Sequence, residues 1–241
     1  MKVNFKNIVR EWIFNLKWRC NACDEENFSG DYFCNNCKNT LPKIVQNKCD
    51  HCGRLTSYST TYCDSCIDKN IYFDKARSLY SYEEPISALV RNLKYNSKLY
   101  LADIFCDEFL EIFFSNFSDT DIITFVPSTE KSLKERGYNQ SQILADRLSK
   151  KVNLPIYSTA IKIKETSSQV TLNYYERKEN LKGVFIADKI NLSGKNILLI
   201  DDVLTTGSTA DSLAKIYKKN KANKVYILTV ASVGKIKFKT L

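Results

Sequence analysis

Two adjacent acidic residues and the polar turn after them form the part of the sequence best suited to bind a small ligand. Asp201 and Asp202 directly follow the apolar run Ile197–Ile200, which predicts a buried strand. The turn then enters a predicted helix at Ser208–Lys218. The residues of the turn are Thr205, Thr206, Gly207, Ser208 and Thr209. A strand, a turn of small polar residues and a helix in this order place backbone N–H groups where they can converge on an anion.

The two halves of this segment favour different parts of one ligand. The N–H groups of the turn, the threonine hydroxyls and the positive end of the helix dipole favour a phosphate. Two neighbouring carboxylates repel a phosphate, but they accept hydrogen bonds from the hydroxyls of a vicinal diol. The segment therefore predicts a ribose 5-phosphate site, with the diol at Asp201 and Asp202. The alternative is an ordinary helix N-terminus after a strand, with the acids merely exposed.

Eight of the nine cysteines form four pairs with C-x2-C spacing, and the pattern of two pairs recurs after 29 residues. Two such turns can close a tetrahedral shell of thiolates around a zinc ion. The predicted ligands of the first structural zinc ion are Cys20, Cys23, Cys34 and Cys37, and those of the second are Cys49, Cys52, Cys63 and Cys66. Interleaved use of the pairs is one alternative. A disulfide framework is the other, and the paired spacing argues against it.

Two further residues with metal-binding side chains receive simpler interpretations. His51 lies between two predicted ligands, where its ring is poorly placed to reach the same ion, so we interpret it as a solvated spacer. Cys106 occurs within an apolar helical pattern and is predicted to be a small buried side chain.

The rest of the chain alternates short apolar runs with amphipathic helical patterns. Predicted strands lie at Ala76–Tyr82, Ile122–Val126, Ile156–Ile163, Val184–Ala187, Ile197–Ile200 and Val225–Ser232. Predicted helices lie at Ile86–Lys94, Leu99–Phe114, Gln140–Lys151 and Ser208–Lys218. This alternation predicts an α/β fold with a mostly parallel sheet flanked by helices, in which ligands bind beyond the carboxyl ends of the strands.

Composition and patterning suggest three parts. The 241 residues are 44% hydrophobic and 26% charged, which excludes a disordered or fibrous chain. We predict a docking helix in residues 1–18, a double zinc ribbon in residues 19–70 and the α/β domain in residues 71–241. The amphipathic stripe of Phe5–Leu16 is too short and too charged to span a membrane, and a helix lying on a membrane surface is its alternative. Without the apolar core of a signal peptide, the chain is predicted to be cytoplasmic.

The formal net charge of +9 is concentrated near the end of the chain. The stretch Lys215–Leu241 contains eight lysines and no acidic residue. It is a candidate contact for nucleic acid, and a solvated lysine cluster is the alternative.

The run Ile197–Thr209 closely resembles the motif by which type I phosphoribosyltransferases bind 5-phosphoribosyl 1-pyrophosphate (PRPP). The resemblance implies the type I phosphoribosyltransferase fold, with Asp201 and Asp202 as catalytic residues that bind PRPP together with the turn. It also implies Mg2+ bound with PRPP, a pyrophosphate loop at Val126–Thr129 and a flexible loop at Lys164–Gly183. The candidate pyrophosphate contacts are Lys131, Lys134 and Arg136. For these three the alternative is a solvated polar loop.

Nearly the whole chain resembles the ComF family of competence proteins, which is also described as amidophosphoribosyltransferase-like. The family-specific segment is Arg136-Gly-Tyr-Asn-Gln140, and further similar segments are Ile86–Lys94 and Gln169–Phe185. The resemblance implies a role in handling single-stranded DNA in the cytoplasm during natural transformation. Single-stranded DNA and proteins of DNA uptake or recombination are therefore candidate partners. The chain departs from the many family members that have one set of four cysteines.

Three functions are compatible with these motifs. The first is a ComF-type protein that binds PRPP and handles single-stranded DNA. The second is a metabolic phosphoribosyltransferase that acts on a base or an amine. The third is a non-enzymatic scaffold whose zinc ribbons dock partners. The motifs leave open whether a transfer is catalysed and which acceptor it would use.

Overall fold

The computed structural model describes residues 18–67, 70–163, 183–187 and 191–234. Several predicted features lie outside these residues. They are the helix at Phe5–Leu16, most of the loop at Lys164–Gly183 and the last three lysines, Lys235, Lys237 and Lys239.

A four-stranded parallel sheet forms the centre of the fold, with strand order β1-β6-β5-β2. Its strands are β1 (Lys75–Ser81), β2 (Ile122–Phe125), β5 (Asn196–Leu204) and β6 (Lys224–Ser232). The middle strands β5 and β6 are buried along most of their length, which explains why they occur in the sequence as continuous apolar runs. The predicted α/β fold with a mostly parallel sheet is confirmed.

A second, two-stranded sheet pairs β3 (Ala160–Lys162) with β4 (Phe185–Ala187) in antiparallel register. The prediction of one strand over Ile156–Ile163 is therefore wrong in extent. Ile156 makes a parallel bridge to Ile123 of β2, and the N–H of Tyr157 donates to the carbonyl of Ile123. The chain then leaves the main sheet to pair with β4.

The described residues contain six helices. They are α1 (Asn35–Thr40), α2 (Ile86–Tyr95), α3 (Leu101–Asn116), α4 (Glu130–Arg136), α5 (Gln140–Val152) and α6 (Ser208–Lys219). The sequence predicted a polar loop where α4 lies. This helix has no buried residue, so it leaves no apolar periodicity, and it is held by its caps instead. The Oγ1 of Thr129 accepts from the N–H of Ser132, and Gly137 ends the helix at a φ of 79°.

The core consists of two apolar clusters, one on each face of the sheet. Because successive side chains of a strand point to opposite faces, Leu198 and Ile200 of β5 join one cluster and Ile197 and Leu199 join the other. Helices α2, α3 and α5 cover the first face, and α6 covers the second. This is the layered arrangement expected for a parallel sheet.

The cysteine-rich segment covers the otherwise open edge of β1. Between the two cysteine sets, the N–H of Ile44 donates to the carbonyl of Leu79, and the N–H of Ser81 donates to the carbonyl of Pro42. Farther along β1, the N–H of Ala76 donates to the carbonyl of His51. These bonds satisfy backbone groups that an edge strand would leave exposed.

Candidate functional site

The acidic pair lies inside β5, although the sequence placed it after a strand ending at Ile200. Strand β2 ends with Phe125, which pairs with Ile200, whereas β6 continues to pair with β5 as far as Leu204. From Asp201 onward, β5 therefore has a strand neighbour on one side only. The side that β2 leaves open is where ligands bind in such sheets.

The N-terminus of α5 contacts both acids. The hydroxyl of Ser141 donates to Oδ1 of Asp201 at 2.9 Å, and Nε2 of Gln140 donates to Oδ2 of Asp202 at 3.2 Å. Lys94, near the end of α2, places Nζ 3.3 Å from the same oxygen of Asp202. The positive end of the α5 dipole favours the negative pair further.

Burial and the neighbouring charge of Asp202 raise the pKa of Asp201 to about 7. The charge of Asp202 in turn raises the pKa of Lys94. Asp202 is only 4% exposed. Within the part of the chain that the structure describes, Oδ2 of Asp201 has no hydrogen-bond donor, whereas Oδ1 accepts from Ser141 and from the N–H of Asp202. This oxygen is available to a ligand hydroxyl or to a cation.

The predicted phosphate turn follows β5 and begins α6. Gly207 is the N-cap residue of α6 at a φ of 83°, a left-handed conformation that favours glycine. The hydroxyls of Thr206 and Ser208 lie 2.7 Å apart, and the carbonyl of Thr205 accepts from Arg54, which comes from the second cysteine set. The turn thus combines hydroxyls, backbone N–H groups and a helix N-terminus at one place.

The family-specific segment Arg136–Gln140 connects three parts of the site. The hydroxyl of Tyr138 donates to the carbonyl of Leu93, next to Lys94. The side chain of Asn139 caps α5 and donates to the carbonyl of Val126, in the predicted pyrophosphate loop. With Gln140 bonded to Asp202, the segment holds α2, the loop and the acidic pair together.

The three predicted pyrophosphate contacts all lie on α4 and differ in their surroundings. Lys131 and Lys134 are exposed, and Lys131 lies 4.0 Å from Glu135. Arg136 lies over the ring of Tyr95, 5.1 Å from its centroid, and 3.4 Å from Oε1 of Gln140. Only Arg136 is therefore linked to the acidic pair through described contacts, and the role of all three in binding pyrophosphate stays a prediction.

Sequence reasoning did not assign Lys94, Ser141 or Arg54 to the site. Lys94 and Ser141 are distant in sequence from the acids that they contact. The signal available for them was their position within or next to the segments that resemble the ComF family. Arg54 carried no such signal.

The eight paired cysteines form two sulfur clusters in sequence order. One cluster contains Cys20, Cys23, Cys34 and Cys37, the other Cys49, Cys52, Cys63 and Cys66, and within each the sulfur atoms lie within 4.8 Å of one another. The interleaved alternative does not correspond to these clusters. None of the nine cysteines forms a disulfide, and all of them lie within the described residues.

The geometry of the clusters fits a tetrahedral zinc ion. With Zn–S bonds of about 2.3 Å, the sulfur atoms of such a site lie about 3.8 Å apart. The separations are 3.9 Å for Cys23 and Cys34 and 3.6 Å for Cys52 and Cys63. Although burial opposes the ionisation of Cys20, backbone N–H donors, among them that of Cys34, lower its pKa to about 6.

His51 and Cys106 both lie outside the sulfur clusters. His51 is half-buried and stacks on Phe73, with ring centroids 5.0 Å apart, and burial lowers the pKa of its imidazole. His51 is therefore a packed residue between the second cysteine set and the start of the α/β domain, and the interpretation of it as a solvated spacer is wrong. Cys106 is buried, as predicted, and its Sγ donates to the carbonyl of Leu144.

The lysine-rich stretch is partly neutralised where it is described. Lys218 pairs with Asp74 at 2.8 Å, and Lys224 pairs with Asp119 at 2.9 Å. Lys219 and Lys221 are exposed. These lysines lie at the end of α6 and the start of β6, opposite the strand ends that hold the acidic pair.

Among the helices of the described residues, none has both the length and the apolar character needed to cross a bilayer.

Two family models match the chain in sequence. The model of the double zinc ribbon domain matches residues 11–67, and the model of the phosphoribosyl transferase domain matches residues 132–238. The second match contains the acidic pair, the turn and the start of α5. The predicted fold, a zinc ribbon followed by a phosphoribosyltransferase-like domain, is confirmed, while the boundaries at residues 18 and 70 stay predictions.

Three similar proteins carry names from DNA uptake and use. Competence protein F of Haemophilus influenzae is 26% identical over 90% of this chain and 97% of its own length. DNA utilization protein YhgH of Escherichia coli is 28% identical over 74% of this chain and 81% of its own length. Competence protein ComFC of Bacillus subtilis is 26% identical over 82% of each chain.

The similarity to the Haemophilus influenzae protein covers enough of the chain to include both the cysteine-rich segment and the α/β domain, in agreement with the resemblance seen in the motifs. The resemblance to the ComF family is thus confirmed, and in this chain a domain with the phosphoribosyltransferase fold follows a double zinc ribbon.

Proposed function

We propose that the chain binds PRPP or a related ribose phosphate and acts in the use of imported DNA. The observation that supports this ligand is that two elements meet near the C-terminal end of β5. One is the acidic pair, with Asp202 buried and Asp201 half-buried, and the other is a turn with a left-handed glycine that begins a helix. A diol and a phosphate at opposite ends of one small molecule match these two elements. The names of the relatives support the DNA context.

In this proposal each element binds one part of the ligand. Asp201 and Asp202 accept hydrogen bonds from the ribose hydroxyls, and the residues Thr205–Thr209 bind the 5-phosphate. The pyrophosphate lies at Val126–Thr129, with Lys131, Lys134 and Arg136 as its basic contacts. Lys94, Gln140 and Ser141 fix the directions of the carboxylates.

The carboxylate oxygens also suit a hard cation, and Mg2+ would reach them together with pyrophosphate oxygens. When bound, the ion neutralises charge on the pyrophosphate. If transfer occurs, C1 of the ribose gains positive charge as the pyrophosphate leaves. Carboxylates that accept from the ribose hydroxyls stabilise that charge, which is the catalytic role we propose for Asp201 and Asp202.

For the cysteine clusters we propose one structural zinc ion each, with the eight paired cysteines as ligands. For the DNA context we propose a cytoplasmic site of action and single-stranded DNA as a partner. The exposed Lys219 and Lys221 are the described candidates for phosphate contacts, because the neighbouring lysines Lys218 and Lys224 already pair with acids.

The first prediction concerns ligand binding. Replacement of both acids, Asp201→Asn with Asp202→Asn, weakens the binding of PRPP in the presence of Mg2+ at least about tenfold, because hydrogen bonds to charged acceptors are lost. Isothermal titration calorimetry measures this change.

Asp146→Asn, at a half-buried acid of α5 that pairs with Lys150 and lies outside the site, is the matched control and keeps the wild-type affinity. Unchanged affinity in the double variant contradicts the proposed site. A wild-type protein that does not bind PRPP supports the scaffold, and release of pyrophosphate with one defined acceptor supports the metabolic enzyme.

The second prediction concerns the pH dependence of stability. The pKa of Asp201 is about 7 in the folded protein against 3.8 as its ordinary value, so the folded state binds more protons between these values. The free energy of unfolding contributed by this group therefore falls as the pH rises from about 4 to about 7. Asp201→Asn removes the effect. Without Mg2+ or ligand, we expect the free energy of unfolding of Asp201→Asn, relative to that of the wild type, to be at least about 1 kcal/mol higher at pH 8 than at pH 5.

Urea unfolding at the two pH values measures this difference. Asp146→Asn again serves as the control and follows the wild type at both values. An Asp201→Asn variant whose stability relative to the wild type is the same at pH 5 and pH 8 would show that Asp201 is ionised normally.

The third prediction concerns the metals. Native mass spectrometry of the purified protein finds two zinc ions per chain, and Cys52→Ser leaves one, because its buried cluster loses a thiolate ligand. Cys106→Ser, at a buried cysteine outside the clusters, retains both ions. Two ions in the Cys52→Ser protein, or eight cysteines resistant to thiol reagents after chelation, would contradict the two four-cysteine sites.

The fourth prediction concerns DNA. Binding of a single-stranded oligonucleotide weakens steeply with added salt, because contacts to phosphates release counterions. Lys219→Glu with Lys221→Glu weakens binding at low salt several-fold. Lys98→Glu with Lys150→Glu, two exposed lysines elsewhere on the surface, makes a smaller difference. Fluorescence anisotropy measures these affinities. An affinity that does not change with salt, or that is the same in both double variants as in the wild type, would show that the lysine-rich stretch is not a DNA contact.

A further inference from the structure

The two cysteine sets begin with the same backbone turn. After the first C-x2-C pair, Asp24 has a φ of 61°, and after the corresponding pair Gly53 has a φ of 69°. In the first turn the N–H of Cys20 donates to the carbonyl of Glu25, and in the second the N–H of Cys49 donates to that of Arg54. Residues 24 and 25 therefore correspond to residues 53 and 54.

The two turns differ in what surrounds them. Asp24 and Glu25 are exposed, and the side chain of Asp24 pairs with Arg19. A β-carbon built on Gly53 would lie 2.4 Å from the carbonyl oxygen of Ala76. Only glycine fits at such a distance, so the second turn packs directly against β1 where the first turn faces solvent.

Arg54 extends from this packed turn to the predicted phosphate turn. Its Nη2 donates to the carbonyl of Thr205 at 2.5 Å, across 151 residues of sequence. A β-carbon built on Gly207 would lie 3.6 Å from the same nitrogen. Arg54 is only 8% exposed, so its charge is held in a site with little water.

The hydrogen bond to Thr205 fixes the direction of a donor that a phosphate would use. In a planar trans peptide the carbonyl of one residue and the N–H of the next point in opposite directions. By holding the carbonyl of Thr205 on its own side, Arg54 turns the N–H of Thr206 to the other side. The N-terminus of α6 lies one residue further on.

The guanidinium still has capacity for another partner. Its Nε is buried, and within the described residues it has no hydrogen-bond partner. Beside it lies a cavity of about 10 Å³, lined by residues of both turns, among them Cys52, Thr206 and Gly207. The contact between ribbon and turn is therefore close, with room for about one water molecule.

We propose that Arg54 is a positioning residue of the ribose-phosphate site, through which the second zinc ribbon sets the conformation of the turn that binds the 5-phosphate. The proposal rests on the proposed function for the identity of the ligand. It assigns the second ribbon a part in ligand binding that the first ribbon lacks, since Glu25 occupies the corresponding position there. A merely structural Arg54 would stabilise the ribbon without preference for one part of the ligand.

The test compares two ligands that use different parts of the site. Ribose 5-phosphate needs the turn, whereas Mg2+-pyrophosphate needs the loop at Val126–Thr129. In the full chain, Arg54→Ala weakens ribose 5-phosphate at least tenfold and leaves pyrophosphate within twofold of the wild type. Arg54→Lys, which retains the charge and one donor, recovers part of the loss. Arg19→Ala, at an exposed arginine of the first ribbon, binds both ligands as the wild type does.

Two results overturn the proposal. One is an Arg54→Ala protein that binds ribose 5-phosphate as tightly as the wild type. The other is equal weakening of both ligands together with loss of zinc, which would make Arg54 a residue of ribbon folding only.

Hydrogen exchange of the backbone amides, measured without ligand, tests the positioning role of Arg54 even if the protein binds neither ribose 5-phosphate nor pyrophosphate. Amides of residues 205–209 exchange at least tenfold faster in Arg54→Ala than in the wild type or in Arg19→Ala, because the turn loses its anchor. A wild-type protein that binds neither ligand contradicts the proposed function, while the exchange result decides the positioning role separately. Unchanged exchange of these amides overturns it.

Discussion

Two neighbouring carboxylates inside strand β5 determine where two helices of the α/β domain, α2 and α5, can lie. Asp201 and Asp202 lie where β2 has already ended, so their partners must come from helices. Gln140 and Ser141 place the N-terminus of α5 against them, and Lys94 brings the end of α2 to the same point. Because uncompensated charges at this depth are strongly unfavourable, neither helix can move away without a cost to stability.

The second constraint is that the open edge of strand β1 must be covered. The cysteine-rich segment covers it and is thereby joined to the α/β domain. An edge strand offers unpaired backbone groups, and here the segment between the cysteine sets and the carbonyl of His51 satisfy several of them. Cys20 of the first set belongs to the apolar cluster on one face of the sheet, and Cys49 and Cys52 of the second belong to the cluster on the other. The cysteine clusters thus extend both cores around one edge of the sheet, and metal binding would supply the stabilisation that a cysteine-rich segment with few large aliphatic residues lacks.

Local patterns predicted the architecture, and what they missed depends on contacts between distant residues. The strands, the helices with an apolar stripe and both cysteine clusters could be read from periodicity and spacing. Helix α4 was missed because it buries none of its residues, so its sequence has no apolar stripe, and because its caps hold it instead. The end of β5 was misplaced because β6, rather than the composition of β5, carries it through Asp201 to Leu204. Sequence also showed the acids and the turn but not Lys94 or Arg54, whose roles exist only once the chain is folded.

The difference between the two ribbons follows from these constraints. Both have the same turn with a residue at positive φ, but only the turn with Gly53 can approach the backbone of β1, and only it carries an arginine at the next position. If Arg54 orders the phosphate turn, then a metal ion that orders the second ribbon would also favour ligand binding. Since such coupling is reciprocal, a ligand that orders the turn also favours the metal-loaded ribbon by the same factor. The first ribbon, whose turn faces solvent, has no comparable route to the site through its described contacts.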